Sequence, residues 1–392
     1  PFMEGTRNVL SDLKLRGGWG VLGNQAISYY SYQSVLDQAN YSFGGTVVQG
    51  VAPVDGANRD LIWETTETLN FGLDMGFLGN QYTLSIEGYR KLTYDILMKL
   101  PVSTLYGLNA PYQNAGKVKN TGLEITAGYK LNTHGWNFQG SANAAYNKNE
   151  VMDLKNGGAR IWSGKYFNQE GYAINSIGGY IAEGLFKTEE EVANSATIPG
   201  TDTAPGDIKY RDINNDGKID GEDRVYIGNT MPKWTFGLNL FAEWKGLDAT
   251  FLFQGAADVQ GYLAGPGVVG EMIGAKGKPS YMYRDCWDAE TNPNGKFPRA
   301  FSSYRQNNSI YNPSSFWIVN SSYLRLKNFQ LGYTLPKEWC NMMGISRIRV
   351  YYSGQNLLTF TKFDKGFDPE SPEGGSSYPQ VKTNTFGLNI TF

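Results

Sequence analysis

The final ten residues of the chain, TNTFGLNITF, alternate between polar and apolar side chains without a break from Thr385 to Phe392. Because successive side chains of a β-strand point to opposite faces of the sheet, this segment predicts a strand with one apolar and one polar face. A soluble sandwich would turn the apolar face toward its core, whereas a membrane barrel would turn it toward lipid and its polar face toward a watery lumen. The strand by itself leaves both interpretations open.

Similar alternating segments recur along the chain and are separated by breaks rich in Gly, Asn and Pro. They predict ten strands, many of which are longer than the roughly five or six residues typical of soluble sheets. The predicted strands cover residues 13–22, 65–77, 81–100, 118–131, 135–151, 234–244, 247–262, 316–335, 345–363 and 383–392. We therefore predict an all-β fold.

The connections between these strands alternate between short and long. The short ones are residues 77–80, 131–134, 245–246 and 336–344, and the long ones are residues 23–64, 101–117, 152–233, 263–315 and 364–381. Outer-membrane barrels have short periplasmic turns and long extracellular loops, whereas a soluble sandwich has no reason to sort its loops by length. The alternation therefore favours a transmembrane antiparallel β-barrel, with 152–233 and 263–315 as long extracellular segments.

The segment GGYIAEGLF, within residues 152–233, is also strand-like. Strand direction requires this region to contain either no membrane-spanning strand or two, so the predicted count is ten or twelve. That number of strands from a wide barrel forms an open arc, and its two edges would leave costly unpaired backbone groups in lipid. We therefore expect residues 1–392 to be the C-terminal part of a larger barrel whose other strands lie elsewhere.

Composition narrows the class of protein further. Aromatic residues make up 14% of the chain and charged residues only 18%, and no run of about 18 apolar residues could form a transmembrane helix. The 26 tyrosines suit interfacial aromatic girdles or loops that stack on sugars, and the net charge of -2 gives no electrostatic case for nucleic-acid binding. The first residues, PFMEGTRNVL, lack a basic region followed by an apolar stretch, so we expect a processed chain or a fragment without a signal peptide.

Little in the sequence points to an enzyme. His134 is the only histidine and lies in the turn-like segment NTHGWN, so a Ser-His-Asp or Cys-His catalytic set would have to include it. A solvated turn residue is the simpler interpretation, and we predict no enzymatic activity. The two cysteines, Cys286 and Cys340, fall in a long extracellular segment and in a short periplasmic connection. Because the Cα atoms of a disulfide lie within about 7 Å of each other, we predict no bond between them.

Three stretches resemble the SusC/RagA family of TonB-dependent transporters of Bacteroidota. They are GDIKYRDINNDGKIDGEDRVYIGNTMPKWTFGLNLFAEWKGLDATFLFQG at residues 206–255, SSYLRLKNFQLGYTLP at 321–336 and RVYYSGQNLLTFTKFDKGFDPE at 349–370. The resemblance extends over most of the chain. It implies an outer-membrane barrel of about 22 strands, of which this chain provides the last ten.

The same resemblance implies an N-terminal plug, a SusD-like lipoprotein lid on the extracellular face, and energy delivered by TonB from the periplasm. The implied substrates are glycan or peptide oligomers, and the implied assembly is a dimer of transporter–lid pairs. No stretch of this chain resembles the plug or the TonB box, which are N-terminal in the family. We therefore expect the chain to supply barrel wall and loops, with TonB contacted through the missing N-terminal part. Its other expected neighbours are the N-terminal half of the barrel and outer-membrane lipid.

The segment DINNDGKIDGED predicts a metal-binding loop. Asp or Asn occupies its first, third, fifth, ninth and twelfth positions, Gly217 permits a sharp turn at the sixth, and the seventh would contribute its backbone carbonyl. The predicted ligands are Asp212, Asn214, Asp216, Lys218, Asp220 and Asp223. Calcium takes about six to eight oxygen ligands from such loops, and Asp at the twelfth position resembles the dockerin variant. We predict a structural Ca2+, or Mg2+, that fixes a loop where the lid docks; an empty, solvated Asx-turn loop is the alternative.

Aromatic side chains in the loops are further candidates for binding. They are Trp162, Tyr166 and Phe167 in one loop and Tyr281, Tyr283, Trp287, Tyr304 and Tyr311 in another. Such residues stack on sugars or peptide side chains, pack under a lid protein, or simply hold their own loops together, and we expect the last role for each. The segment DPESPEGG, residues 368–375, is expected to form a solvated acidic tip.

Two further hypotheses use the same observations. One is a passive porin of ten to twelve strands that is complete in itself, which a plug domain and further strands upstream would exclude. The other is a secreted calcium-binding β protein that binds or hydrolyses glycans, which would be soluble without detergent. Active import of oligomeric nutrients by a SusC-like transporter is the function that the strand pattern and the resemblance favour.

Overall fold

The main element of the fold is a ten-stranded antiparallel sheet in which each strand pairs with the next sheet strand along the chain. The computed structural model describes residues 4–6, 8–263, 282, 284–300, 312–363, 366–371, 378 and 380–392. In chain order the sheet strands are β1 (Leu10–Asn24), β2 (Glu64–Phe77), β3 (Tyr82–Lys99), β4 (Tyr112–Thr133), β5 (Trp136–Asp153), β6 (Trp234–Trp244), β7 (Leu247–Ala257), β8 (Tyr323–Thr334), β9 (Arg347–Thr361) and β10 (Thr383–Thr391). β1 and β10 are the two edges of this sheet.

This arrangement confirms the predicted all-β, antiparallel fold. The first five sheet strands are 14 to 22 residues long, far beyond the length typical of soluble sheets. Residues 154–233 contribute no strand to the sheet. The strand-like segment GGYIAEGLF instead supplies parts of two small sheets, through Ser176–Gly179 and Ala182–Leu185. Among the described residues the large sheet therefore has ten strands, and residues 154–233 do not add the two further strands that the sequence left open.

The predicted strand at 247–262 is interrupted in the structure. It leaves the large sheet at Asp258, whose backbone is left-handed with a φ of 55°. The residues that follow, Gln260–Tyr262, pair with Ile318–Asn320 in a separate two-stranded sheet. The predicted strand at 316–335 is interrupted for the same reason, because its first part is recruited into that small sheet. The alternation of side chains continues through both breaks, so the pattern did not reveal them.

The remaining short elements lie in the connections. The short strands are Leu36–Phe43, Thr46–Pro53, Ile161–Ser163, Tyr166–Asn168, Ser176–Gly179, Ala182–Leu185, Ile208–Tyr210, Val225–Gly228, Gln260–Tyr262 and Ile318–Asn320. The α-helices are α1 (Glu189–Ala193) and α2 (Lys337–Met342), and the 3-10 helices are Glu4–Thr6, Thr104–Tyr106, Gly221–Asp223 and Ser315–Trp317. Within the described ranges, every helix is too short or too polar to cross a membrane.

The large sheet has two chemically different faces. On the apolar face, Val350 lies opposite Leu388, and Tyr352 lies opposite Phe386 with 5.3 Å between the ring centroids. On the polar face, Arg16 binds carboxylates of the neighbouring strands. Because side chains alternate strictly along each strand, every regular sheet position belongs to one of these two faces.

Aromatic side chains form two rows at opposite ends of the apolar face. Trp136 stacks on Trp244 at 5.3 Å beside the short connections, and we call this pair the turn-side row. Tyr146 contacts Trp234 at 4.9 Å near the long connections, and we call this pair the loop-side row. Both pairs lie directly opposite in register, ten residues apart on each strand. Ten residues extend about 34 Å, or about 24 Å along the normal for a strand tilted by about 45°, which matches the roughly 25 Å apolar band of outer-membrane barrels.

The last three long connections pack together into one unit. Residues 152–233 and the described parts of 258–322 and 362–371 share an apolar core, and we call this unit the loop domain. The core consists of Ile177, Tyr180, Ile208, Tyr210, Ile219, Tyr262, Leu263, Met282, Cys286, Trp317 and Phe363. A second cluster joins the loop domain to the polar face of the sheet, where Val118 and Val151 pack with Ile161 and Ile174. The loop domain therefore covers the polar face at its loop-side end.

Candidate functional site

The predicted metal loop follows the strand Ile208–Tyr210 and ends in the 3-10 helix Gly221–Asp223. The carboxylate of Asp212 accepts hydrogen bonds from the backbone amides of Asn215, at 2.7 Å, and Gly217, at 2.8 Å. Asn215 and Gly217 both have left-handed backbones, with φ of 59° and 84°. The first position of the loop thus organises the sharp turn that the sequence predicted at its sixth position.

The twelfth position closes the loop. Asp223 is 0% exposed, and its two carboxylate oxygens accept hydrogen bonds from the backbone amides of Ile213, at 2.7 Å, and Asp220, at 2.8 Å. Ile219, which is 1% exposed, anchors the same segment in the core of the loop domain, and its amide donates to the carbonyl of Thr197 at 3.0 Å. Ile219 and Asp223 therefore anchor the second half of the metal loop in the loop domain.

A lysine lies among the predicted ligands. Nζ of Lys218 lies 2.5 Å from Asp220 and 3.5 Å from Asp216. Its hydrogen bond lowers the pKa of Asp220, and the same bond raises the pKa of Lys218. Across the ranges that the structure describes, no three His, Cys, Asp or Glu side chains are arranged to hold a metal ion. The side-chain oxygens of residues 212–223 would suit a hard cation if the Lys218 ammonium moved away from Asp220. Calcium binding stays a prediction.

The loop aromatics that the structure describes pack inside the loop domain. The guanidinium of Arg224 lies 3.8 Å from the ring centroid of Trp162, and Phe167, only 1% exposed, lies 5.3 Å from the same ring. Beneath that ring is Gly178, where an added Cβ would come within 2.5 Å of Trp162. Trp287 is likewise only 8% exposed. Of the other aromatic candidates, Tyr166 packs partly buried against the same core, and Tyr281, Tyr283, Tyr304 and Tyr311 lie outside the described residues.

A buried ion cluster corrects the prediction for the acidic segment DPESPEGG. Arg325, 3% exposed at the loop-side end of β8, lies 2.8 Å from Asp368 and 2.9 Å from Glu370. Burial would raise the pKa of Asp368, but hydrogen bonds from Arg325 and from the Glu370 amide outweigh it and hold that pKa below its usual range. The prediction of a solvated tip is therefore wrong for residues 368 and 370, and residues 372–375 lie outside the described ranges.

A second buried ion pair joins two long connections. The carboxylate of Asp207 accepts hydrogen bonds from Nε and Nη2 of Arg299, both at 3.1 Å, and another from the amide of Ala204 at 3.0 Å. Burial raises the pKa of Asp207, and the bonds from Arg299 and Ala204 offset that rise only in part. The sequence carried no signal for this pair, because its members are 92 residues apart.

The sequence did not predict the charged clusters on the polar face. Arg16 lies 2.7 Å from both Asp74 and Glu87, which come from the next two strands. On the same face, toward the other edge of the sheet, Arg349 of β9 lies 2.5 Å from Asp248 of β7. The available signal was the position of each charge between apolar neighbours in a strand, which assigns it to the polar face.

The two cysteines are buried, and the histidine lies in a turn. Cys286 and Cys340 are both buried free thiols, and burial raises the pKa of Cys286 to about 11. His134 lies in the tight turn after β4 with a left-handed φ of 47°, and its Nδ1 lies 2.7 Å from the hydroxyl of Thr133.

Long antiparallel strands, an apolar face between two aromatic rows, and long connections gathered at one end define the class of outer-membrane β-barrel proteins. Within that class, the chain belongs to the family described as "TonB dependent receptor-like, beta-barrel", which matches residues 8–357. This family consists of transporters and receptors and not of enzymes. The resemblance found in the sequence is confirmed.

Individual relatives agree with the family. The chain is 31% identical to "TonB-dependent receptor P3" of Formosa agariphila, over 98% of this chain and 40% of that protein. It is 30% identical to "TonB-dependent receptor SusC" of Bacteroides thetaiotaomicron, over 98% of this chain and 38% of that protein. The solved structure of the RagAB peptide transporter superposes with a TM-score of 0.77 at 28% identity, over 98% of this chain and 41% of that one. The chain thus spans about 40% of the length of the relatives it matches.

Membership of this family orients the sheet. The chain lies in the bacterial outer membrane, with the apolar face toward lipid and the polar face toward the lumen. By the general rule that outer-membrane barrels have short periplasmic turns and long extracellular loops, we expect the turn-side row at the periplasmic interface and the loop-side row at the extracellular one. Long connections of such barrels are generally extracellular, so the extracellular position of the loop domain stays a prediction.

Proposed function

We propose that the protein actively imports oligomeric nutrients, either peptides or glycans, across the outer membrane as the barrel of a SusCD-like complex. The observation that carries this proposal is the likeness to the RagAB peptide transporter, which extends over 98% of the chain at a TM-score of 0.77. The similarity to SusC, over 98% of the chain, supports the same assignment. Enzymatic activity is not part of the proposal.

We propose three protein partners for this chain. A SusD-like lipoprotein docks on the extracellular side, where the loop domain offers a folded surface. TonB acts through residues that precede this segment in a longer protein. The remaining barrel strands pair with the edges β1 and β10, which have neighbours on one side only in the described sheet. Outer-membrane lipid surrounds the apolar face.

We further propose that residues 212–223 bind a structural Ca2+, with Mg2+ as the second choice. The spacing of the oxygen-bearing side chains, the left-handed Gly217 and the completely buried Asp223 support this proposal. The ion would hold the loop closed in the loop domain, close to the surface on which the lid docks. It has no catalytic role.

Uptake by cells tests the transport proposal. Fluorescent oligopeptides and oligosaccharides are supplied to cells that carry or lack the gene for this protein, each with and without TonB. We expect uptake of one of the two oligomer classes to require both the gene and TonB. Uptake that requires the gene but persists without TonB would indicate a passive porin and contradict active import, and so would uptake of both classes that is independent of the gene.

A further inference from the structure

We propose that the lipid-facing side of the barrel has a binding site for the phosphate groups of an anionic glycolipid in the outer leaflet. The site consists of three cations on adjacent strands: Arg90 on β3, Lys119 on β4 and Lys148 on β5. We call these residues the cationic group. Nothing in the transport proposal depends on it.

The strand register places the cationic group on the apolar face. Lys148 lies two residues after Tyr146 of the loop-side row, so the two side chains share a face. Thr121 lies opposite both Lys148 and Arg90, which brings those residues onto the same face. Lys119 is two residues from Thr121 on β4 and therefore shares it as well. Neighbouring members are a direct or diagonal step apart, with Cβ atoms within about 5–8 Å per step.

The height of the group matches the lipid headgroups. The loop-side row marks the extracellular interface, because aromatic girdles lie at the level where hydrocarbon meets headgroups. One strand repeat beyond Tyr146, Lys148 lies about 5 Å farther out for a strand tilted by about 45°. Charges on the lipid face are strongly unfavourable at the membrane centre but nearly neutral at its interface. The cationic group therefore lies beside phosphates and not in the hydrocarbon.

The group retains positive charge that the protein does not neutralise. Lys119 and Lys148 share one carboxylate, that of Glu150, at 3.0 and 3.2 Å. Among the described residues, the exposed guanidinium of Arg90 makes no ion pair or hydrogen bond. Glu67, on the same face of β2, accepts a hydrogen bond from the indole of Trp19 at 2.9 Å. Three cations thus face two carboxylates, which leaves a net charge of about +1 and one cation entirely free to bind a ligand.

The chemistry of the three side chains suits a phosphorylated glycolipid. A guanidinium binds two oxygens of one phosphate at once, and lysine ammonium groups add point charges beside it. Basic residues near a membrane surface attract anionic headgroups additively, so three cations on neighbouring strands favour a doubly charged lipid over a neutral one. Tyr146 and Trp234, directly below, offer aromatic surface for the adjoining sugar rings.

The test measures lipid binding to the protein extracted from outer membranes in mild detergent, in the form in which cells contain it. Intact-complex mass spectrometry is performed in micelles that contain a bisphosphorylated lipid A or the same lipid after removal of its phosphates. The test variant is Arg90→Gln/Lys119→Gln/Lys148→Gln. A matched control, Lys14→Gln/Lys91→Gln/Lys130→Gln, removes the same number of cations from the polar face of the sheet. A single Arg90→Gln variant breaks no hydrogen bond or ion pair among the described residues and so tests the site with little effect on folding.

We expect the wild-type protein to bind the phosphorylated lipid at least about tenfold more tightly than the dephosphorylated one. The triple variant should lose that preference, Arg90→Gln should lose part of it, and the polar-face control should keep it. Equal binding of the two lipids by the wild-type protein would overturn the proposal. An equal loss of preference in the control variant would overturn it too, because the effect would then reflect net charge and not this site.

Discussion

Nη2 of Arg325 lies 2.8 Å from a carboxylate oxygen of Asp368, and the two side chains are only 3% and 7% exposed. The pair joins β8 to the connection between β9 and β10, which lies 43 residues farther along the chain. The same guanidinium donates to the hydroxyl of Thr359 on β9 at 3.0 Å and to Glu370 at 2.9 Å. One side chain therefore links the loop-side ends of two strands to the extracellular connection that follows them.

Replacement of Arg325 should release this connection. In Arg325→Met, Asp368 would remain buried without a cation, and breaking a buried pair in this way costs about 3–5 kcal/mol. We expect protease cleavage within residues 362–382 of the folded protein and a lower melting temperature. Lys327→Met is the control, because Lys327 reaches Glu370 at 3.3 Å and is 30% exposed, so its loss should cost about 1 kcal/mol or less. Equal protease sensitivity of the two variants would show that Arg325 has no special role.

The same pair predicts a response to acid. The folded-state pKa of Asp368 lies below its unfolded value of about 3.9, so its stabilising contribution is present above that value and is lost as the pH falls through the folded pKa. Protease sensitivity of residues 362–382 should therefore stay constant from about pH 7 to 5 and rise only below about pH 4. Asp368→Asn should be more sensitive at neutral pH and should lose most of the acid response. Release of the wild-type connection between about pH 5 and 7 would be incompatible with this assignment.

The sheet could be predicted from the sequence because its determinants are local. A period of two in side-chain polarity sets both the strand and the face of each residue, as in Phe386, Leu388 and Ile390 of β10. The alternation of short and long connections then gave the membrane orientation. The breaks at Asp258 and before Tyr323 could not be predicted, because they depend on pairing between Gln260–Tyr262 and Ile318–Asn320. Such partners are distant in sequence and carry no periodic signal.

The candidate sites divide in the same way. The loop at residues 212–223 could be predicted because its ligand spacing is a local pattern. The contact of Lys218 with Asp220 could not, because the ligand spacing does not give the direction of the lysine side chain. The pair formed by Arg325 and Asp368 was missed because an acidic segment with prolines is usually solvated, and a cation 43 residues away reverses that expectation.

The calcium proposal predicts a measurable affinity. Calorimetric titration of the detergent-extracted protein with Ca2+ should give a saturable heat, and a chelator should increase protease cleavage of the loop domain. Asp216→Ala removes a proposed ligand and should weaken binding about tenfold or more. Glu222→Ala is the matched control, because its exposed side chain occupies the eleventh position, which supplies no ligand. If no calcium heat appears, or if both variants weaken binding equally, the loop is not a calcium site.

Lys218 gives an independent prediction for the same loop. Its ammonium contacts Asp220 at 2.5 Å, so it competes with a cation for that carboxylate. At the seventh position only the backbone carbonyl would bind the ion, so Lys218→Gln removes the competitor and keeps the ligand. We expect several-fold tighter calcium binding in this variant. Weaker binding in Lys218→Gln would show that the lysine stabilises the loop in place of a metal ion.

The ion pair of Asp207 and Arg299 should make the stability of the loop domain depend on pH. Asp207 is 4% exposed and pairs with Arg299 at 3.1 Å, and burial keeps its folded-state pKa above the unfolded value of about 3.9. Its contribution to stability is therefore greatest below the unfolded pKa and falls as the pH rises through the folded pKa. Arg299→Leu should enlarge this effect, because a buried carboxylate without its cation is costly when ionised, by about 3 kcal/mol, and much less so when protonated.

We expect Arg299→Leu to make the loop domain more open to hydrogen exchange at pH 7 than at pH 4.5, with rates at each pH corrected for intrinsic exchange. The double variant Asp207→Asn/Arg299→Leu should recover much of the protection at pH 7, because the neutral amide needs no cation and still accepts the bond from the Ala204 amide. A single-variant effect that is the same at both pH values would mean that Arg299 acts through packing alone. Failure of the double variant to recover protection would lead to the same conclusion, because the ionised carboxylate would then not be the source of the cost.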